Sequence, residues 1–273
     1  MPSGSVSHQG CLLHYTTRGR GPAVVFIQGV GVHGDAWLPQ TEDLERDFTC
    51  ITFDNRGMGR SQPASVPITT GQMAADTLAV LDAARIDTAH VVGHSLGGVV
   101  AVETALIARA RVRSLSLLCT FAGGKTAAPM TPRMIWLGAR TRIGTREMRR
   151  RAFLRLVMPP GPSADIDTLA SRLATLFGHD LADQPAIANQ QLAALRRSDT
   201  SPRLGELAGL PTLVMTAVHD PIGPPSAGRG LAAGITGARY IEVADASHGL
   251  PISHAGLTNR HLREHLEGVE RGR

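Results

Sequence analysis

Gly93-His94-Ser95-Leu96-Gly97-Gly98 decides how the rest of the chain is read. An apolar run rich in β-branched residues, Ala89-His90-Val91-Val92, precedes it, and a second apolar run, Val99-Val100-Ala101-Val102, follows. That order predicts a strand, a sharp turn and a helix, with serine at the apex. Gly-x-Ser-x-Gly in this setting is the pattern of a nucleophile elbow. Glycines two residues before and two after the serine let the strand and helix backbones pass closely and relieve crowding around a strained serine. Ser95 is therefore the expected nucleophile, aimed at a carbonyl carbon.

A serine hydroxyl is a poor nucleophile near neutral pH. It needs a base within hydrogen-bond reach, and the base needs a third group to orient it. An acid and then a histidine are expected, each just after a late strand. Asp220 follows the apolar run 213–218, and His248 follows Ile241-Glu242-Val243. The competing groups fit less well. Asp245 lies only three residues before His248 and suits a turn. His254, His261 and His265 lie past the strand-end position and are expected on the surface or in helix packing. His94 is expected to point away from the site. After Leu118 the chain reads Cys119-Thr120-Phe121, with no carboxylate. The tetrahedral intermediate needs N–H donors. Leu96, after the nucleophile, and Val30, in the loop Gln28-Gly29-Val30-Gly31, are the candidates.

Working outward, strand-like runs occur at 12–15, 23–27, 50–53, 89–93, 114–118, 212–215 and 240–243. Between two of them, 70–84 has helical spacing, with Met73, Thr77, Val80 and Leu81 on one face. Strands alternating with helices imply an α/β fold, a mostly parallel central sheet covered on both sides. From Gly123 to Arg203 the strand signal disappears. That stretch is rich in arginine and methionine and broken by Pro129, Pro132, Pro159-Pro160-Gly161-Pro162 and Pro185. The expected organisation is a core of residues 1–122 and 204–273, with 123–203 inserted as a helical cap. Met130, Met134, Trp136, Leu137 and Phe153 are its candidate pocket liners, weighed against plain cap packing.

Apolar residues make up 42% of the 273, which suits one globular domain with an insertion. The start, Met1-Pro2-Ser3-Gly4-Ser5, has no basic stretch leading into an apolar core, and no run approaches a membrane span of about 18 residues. With three scattered cysteines, Cys11, Cys50 and Cys119, neither a disulfide framework nor a metal site is expected, and a reducing, cytoplasmic location is. The net charge is +5, and all but one of the 28 basic residues are arginine. Eight of these, Arg133, Arg140, Arg142, Arg146, Arg149, Arg150, Arg151 and Arg155, crowd one segment beside a single acid, Glu147. A solvated helix face explains them; an anionic substrate, an acidic partner or a membrane surface would use them. Aromatic residues are 4% of the chain and no recognition motif is visible, so no nucleic acid is expected.

Two motifs point elsewhere and are set aside. Gly29-Val30-Gly31-Val32-His33-Gly34 matches a dinucleotide fingerprint, with Asp54 twenty residues beyond Gly34. Pro39 interrupts the place of the phosphate-binding helix, and the loop is already needed for the oxyanion. His261-Leu262-Arg263-Glu264-His265 matches a zinc-binding helix. Only eight residues follow His265 and none is the glutamate such a site uses, so a solvated C-terminal helix is expected there.

Four segments together make the chain resemble the α/β-hydrolase superfamily over essentially its whole length. They are the loop 28–31, the turn Asp54-Asn55-Arg56-Gly57-Met58-Gly59-Arg60-Ser61, the elbow, and the Asp220 and His248 segments. Within the superfamily the chain resembles small capped esterases and enol-lactonase-like hydrolases. The resemblance implies hydrolysis of a small ester or lactone through a Ser95–His248–Asp220 triad and an acyl-enzyme, with no cofactor and no metal. Asp54 and Arg56 then fix their loop. Gln28 stands where His-Gly is usual. Carbon–carbon hydrolysis, thioester hydrolysis and perhydrolysis would use the same triad, and a ligand sensor with little turnover would use the same pocket.

Overall fold

The structure is a computed structural model, and it describes residues 3–63, 67–124, 132–159 and 166–272. Its frame is an eight-stranded sheet in the order β1-β2-β4-β3-β5-β6-β7-β8. The strands are β1 (Ser3–His8), β2 (Cys11–Arg18), β3 (Ala23–Ile27), β4 (Thr49–Phe53), β5 (Ala89–His94), β6 (Val112–Leu118), β7 (Thr212–Ala217) and β8 (Arg239–Val243). β2 runs antiparallel to both its neighbours, β1 and β4, at one edge; from β4 through β3, β5, β6 and β7 to β8 every pairing is parallel. The expected α/β-hydrolase fold, a mostly parallel sheet flanked by helices, is what forms.

Burial on both faces explains the apolar runs. Every residue of β3 and β7 is buried. Alternate residues of β3 feed opposite layers, because side chains along a strand alternate in direction. Val25 and Ile27 pack with α2 (Thr70–Ala83) and α3 (Leu96–Ile107); Val24 and Phe26 pack with Trp37, Leu44 of α1 (Leu38–Leu44) and Leu262 and Leu266 of α10 (Ala255–Arg271). The C-terminal helix is thus docked along one face rather than merely solvated. β1 carried no strand signal in the sequence. Its residues, Ser-Gly-Ser-Val-Ser-His, are all exposed or half-buried, so no apolar alternation marks them.

Between β6 and β7 lie α4 (Pro132–Arg140), α5 (Arg146–Val157), α6 (Ile166–Phe177) and α7 (Ala188–Arg197). α5 and α6 share a small core of Leu154, Ala170, Leu173, Phe177 and the following Leu181, which closes over Ala36, whereas Ala194 and Leu195 of α7 pack into the main core. After β7 come α8 (Pro225–Gly234) and, between β8 and α10, the short α9 (Leu250–Ser253). Among the described residues no helix is long and apolar enough to cross a membrane.

Candidate active site

The candidate residues all follow the carboxyl ends of parallel strands, where open α/β sheets place their ligands. The central one sits directly after β5. Ser95 has φ 55° and ψ −120°, a left-handed backbone that costs a non-glycine residue about 1–3 kcal/mol. Its neighbours make the turn possible. A Cβ on Gly93 would lie 2.7 Å from Gly98 Cα, and one on Gly97 would lie 2.9 Å from the Gln28 carbonyl oxygen. The turn is locked by Ser95 N–H donating to Leu118 O at 3.0 Å and by Thr120 Oγ1 donating to Ser95 O at 2.6 Å.

Asp220 and His248 come from the loops after β7 and β8. Asp220 Oδ2 accepts from His248 Nδ1 at 2.8 Å. Its other oxygen accepts from the N–H groups of Ile222, at 2.7 Å, and Gly223, at 2.8 Å. Both side chains are buried. Burial alone would raise the Asp220 pKa, but the His248 charge, their hydrogen bond and the two amides outweigh it and hold the carboxyl below its ordinary value. A carboxylate at Nδ1 favours the Nδ1–H tautomer, leaving Nε2 of His248 with a lone pair able to accept a proton.

The loop 28–31 follows β3, the strand beside β5. Gln28, where the superfamily usually has His-Gly, is buried, and its Oε1 takes the Gly29 N–H at 2.9 Å. The Gly31 N–H goes to Gln191 Oε1 of α7 at 2.8 Å, and the Gly31 carbonyl takes His179 Nε2–H at 2.7 Å. The Val30 N–H lies between these two anchored amides, and no hydrogen bond among the described residues uses it. Leu96 is the first residue of α3, so its N–H has no intrahelical acceptor.

These parts surround one cavity of about 630 Å³. Gln28, Val30, Ser95 and His248 line it from the core. Met134 of α4 and Phe153 of α5 line it from the helical insert. Trp136 and Leu137 do not. Trp136 is exposed beside Arg140, and Leu137 is buried away from the cavity, because consecutive positions on a helix face different ways. Met130, Lys125, Pro129 and residues 160–162 lie outside the described residues.

One expectation is corrected. His94 does not point away. Its ring lies 4.9 Å from that of His248, and its Nε2–H donates to the His248 carbonyl at 2.8 Å. Burial, helped by the His248 charge, pushes its pKa down to about 3, so it stays neutral. The arginines of α5 are exposed or half-buried, and several of them carry surface partners. Arg146 and Arg150 pair with Asp180, Arg146 also with Asp183, and Arg151 with Glu147.

The residues behind the two set-aside motifs are occupied elsewhere. Asp54 accepts from the N–H groups of Gly34 and Arg60, and buried Arg56 forks onto Asp76 at 2.5 and 2.6 Å. His265 donates to Leu115 O, and His261 pairs with Glu264. Asp245 is exposed and meets His254. The three cysteines are buried and unpaired. Gln191 and His179 were missed in the sequence, since nothing local marks a residue that acts on a loop about 150 positions away.

Comparison with known proteins agrees with this arrangement. The profile of the alpha/beta hydrolase fold matches residues 22–255. RutD of Variovorax paradoxus, a candidate carbamate hydrolase, is 32% identical over 265 residues, covering 94% of this chain and 97% of its own. The enol-lactonase from Burkholderia xenovorans superposes with a TM-score of 0.81 at 26% identity, covering 97% of this chain and 100% of that one. BpoC of Mycobacterium tuberculosis, a candidate non-heme bromoperoxidase, gives 0.80 at 27%, covering 94% and 96%. The chain belongs to the α/β-hydrolase fold family and is an enzyme of that type.

Proposed function

We propose that this protein hydrolyses carboxylic esters or lactones of small molecules, with Ser95 as nucleophile, His248 as base and Asp220 as its orienting acid. The observation that carries this is the buried Asp220–His248 pair, opening onto the same cavity as a serine held at a strained apex. His248 Nε2 takes the Ser95 proton as Oγ bonds to the carbonyl carbon. The electron pair moves to the carbonyl oxygen, which the Val30 and Leu96 N–H groups receive. Collapse of the intermediate expels the alkoxide, and His248 returns the proton to it. Water, deprotonated by His248, then attacks the acyl-enzyme; collapse releases the acid and restores Ser95. Asp220 stabilises the imidazolium formed twice per cycle. The helical insert acts as a cap whose inner face selects the substrate.

The relatives support acyl chemistry. Enol-lactone opening and carbamate hydrolysis both attack a carbonyl carbon bearing a heteroatom leaving group. Ser95→Ala tests the reading. Turnover of p-nitrophenyl acetate should fall at least about 10⁴-fold with the circular dichroism spectrum kept. Undiminished turnover by the purified variant would remove Ser95 from the mechanism.

A further inference from the structure

The cavity is biased in charge. Among its described lining residues there is no aspartate or glutamate, but there are two arginines, Arg142 and Arg196. His94 is neutral, so these guanidiniums are the permanent charges of the lining. The other cap arginines differ: Arg146, Arg150 and Arg151 already meet carboxylates. Arg196 meets none among the described residues, and Arg142 meets only the neutral Asn189, whose Oδ1 accepts from it at 2.6 Å.

Both arginines are placed by α7. Asn189, Leu192 and Arg196 lie at i, i+3 and i+7, one face of the helix, and all line the cavity. Seven residues span about 10 Å of helix, so the two cations flank the chamber from either end of α7. The end carrying Arg196 packs closely on the segment after β6. A Cβ on Gly124 would lie 2.5 Å from Arg196 Cα. The stem of Arg196 therefore starts from a fixed point beside the core.

We infer that Arg196, assisted by Arg142, binds a carboxylate carried by the substrate away from its scissile bond, so that the preferred substrates are half-esters or carboxylated lactones. This rests on the ester- or lactone-hydrolase reading. Both side chains are exposed, so their guanidiniums sit at the mouth of the cavity, where an anion pairs with them under partial solvent screening and the gain is modest. A neutral ester leaves both arginines unsatisfied by the ligand.

The test compares two near-isosteric esters, the p-nitrophenyl half-ester of succinic acid and p-nitrophenyl butyrate. The ratio of their KM values should favour the anion in the wild type. In Arg196→Gln the ratio should shift against it by about three- to fivefold. Arg142→Gln should shift it less, and Arg196→Lys should restore part. A ratio unchanged within twofold in Arg196→Gln and in the double variant overturns the inference. Binding is read separately by titrating monomethyl succinate into Ser95→Ala protein, with and without Arg196→Gln. Arginine-dependent binding without wild-type turnover would keep the anion site and sink the hydrolase reading. Turnover without any dependence on either arginine would do the reverse.

Discussion

Ser95 and Arg196 face the same cavity from scaffolds of opposite character. Ser95 stands on the central strands, where β3, β5 and β6 bury their residues and backbone hydrogen bonds fix the turn. Arg196 stands exposed on a helix of the insert beside Ala194 and Leu195, which reach the main core, while the rest of the insert shares only a small core and meets in exposed ion pairs. The core holds reacting groups in a geometry that one added Cβ would break. The insert presents charge and apolar walls from helices that tolerate change. The division is incomplete, however. Gln191 and His179 hold the Gly31 amide and carbonyl, and the carbonyl of Val157 accepts from Gly249 N–H beside His248 at 2.5 Å. The insert therefore clamps two loops of the site as well as roofing it.

The largest expected effect lies in the core. Asp220→Asn keeps the shape but gives up the charge and lets the wrong His248 tautomer form. Ester kcat should fall about 10³- to 10⁴-fold with little change in melting temperature, as read by steady-state kinetics and thermal unfolding. A loss under tenfold would mean that Asp220 does not orient the base.

Acid should weaken the two regions in sequence. His90 lies in the core, its Nδ1 on Ser114 Oγ at 2.7 Å and its Nε2 3.2 Å from Glu270. Burial pushes its pKa down to about 4, although Glu270 pulls the other way. The unfolded chain, with histidine near 6.5, binds that proton more readily, so stability from His90 is present above about 6.5 and is lost as pH falls toward 4. The loss is about 3 kcal/mol at most. In the insert, the hydrogen bond from Arg150, despite opposing desolvation, holds Asp180 below its usual range. Its contribution survives until pH drops below the ordinary carboxylate value. Hydrogen exchange between pH 6.5 and 4.5 should therefore show β5 and β6 losing protection before α5. The opposite order would contradict this account.

The smallest effect tests the clamp. Gln191→Met keeps the volume and removes the acceptor of the Gly31 N–H. Ester kcat should fall about tenfold with KM nearly unchanged, since a loosened Val30 donor matters most in the transition state. An equal rise in KM with kcat kept would make Gln191 a pocket wall instead.

This contrast also explains what the sequence disclosed. The elbow, Asp220 and His248 were legible because each depends on local chemistry: a glycine at a crowded turn, or a polar residue ending a buried strand. Leu96 and Val30 could be named as candidate donors because backbone N–H positions follow from the place of the turn. The insert was opaque because its cavity face arises from how four helices pack, which no short pattern encodes. Trp136 and Leu137 stand two and three residues after Met134, and only Met134 reaches the cavity. Arg142, in the loop before α5, and Arg146, at its start, are four residues apart, yet one lines the chamber and the other meets Asp180 and Asp183. β1 was opaque for a different reason, having no buried side to mark it.

The most direct measurement is the intact mass of the protein after reaction with a fluorophosphonate. Wild-type protein should gain one adduct, located at Ser95 by peptide mapping. Ser95→Ala should gain none, and His248→Ala should react at least about 10³-fold more slowly. An adduct on another residue in Ser95→Ala, or wild-type protein that turns over esters while remaining unlabelled, would contradict the assignment of Ser95 as the nucleophile.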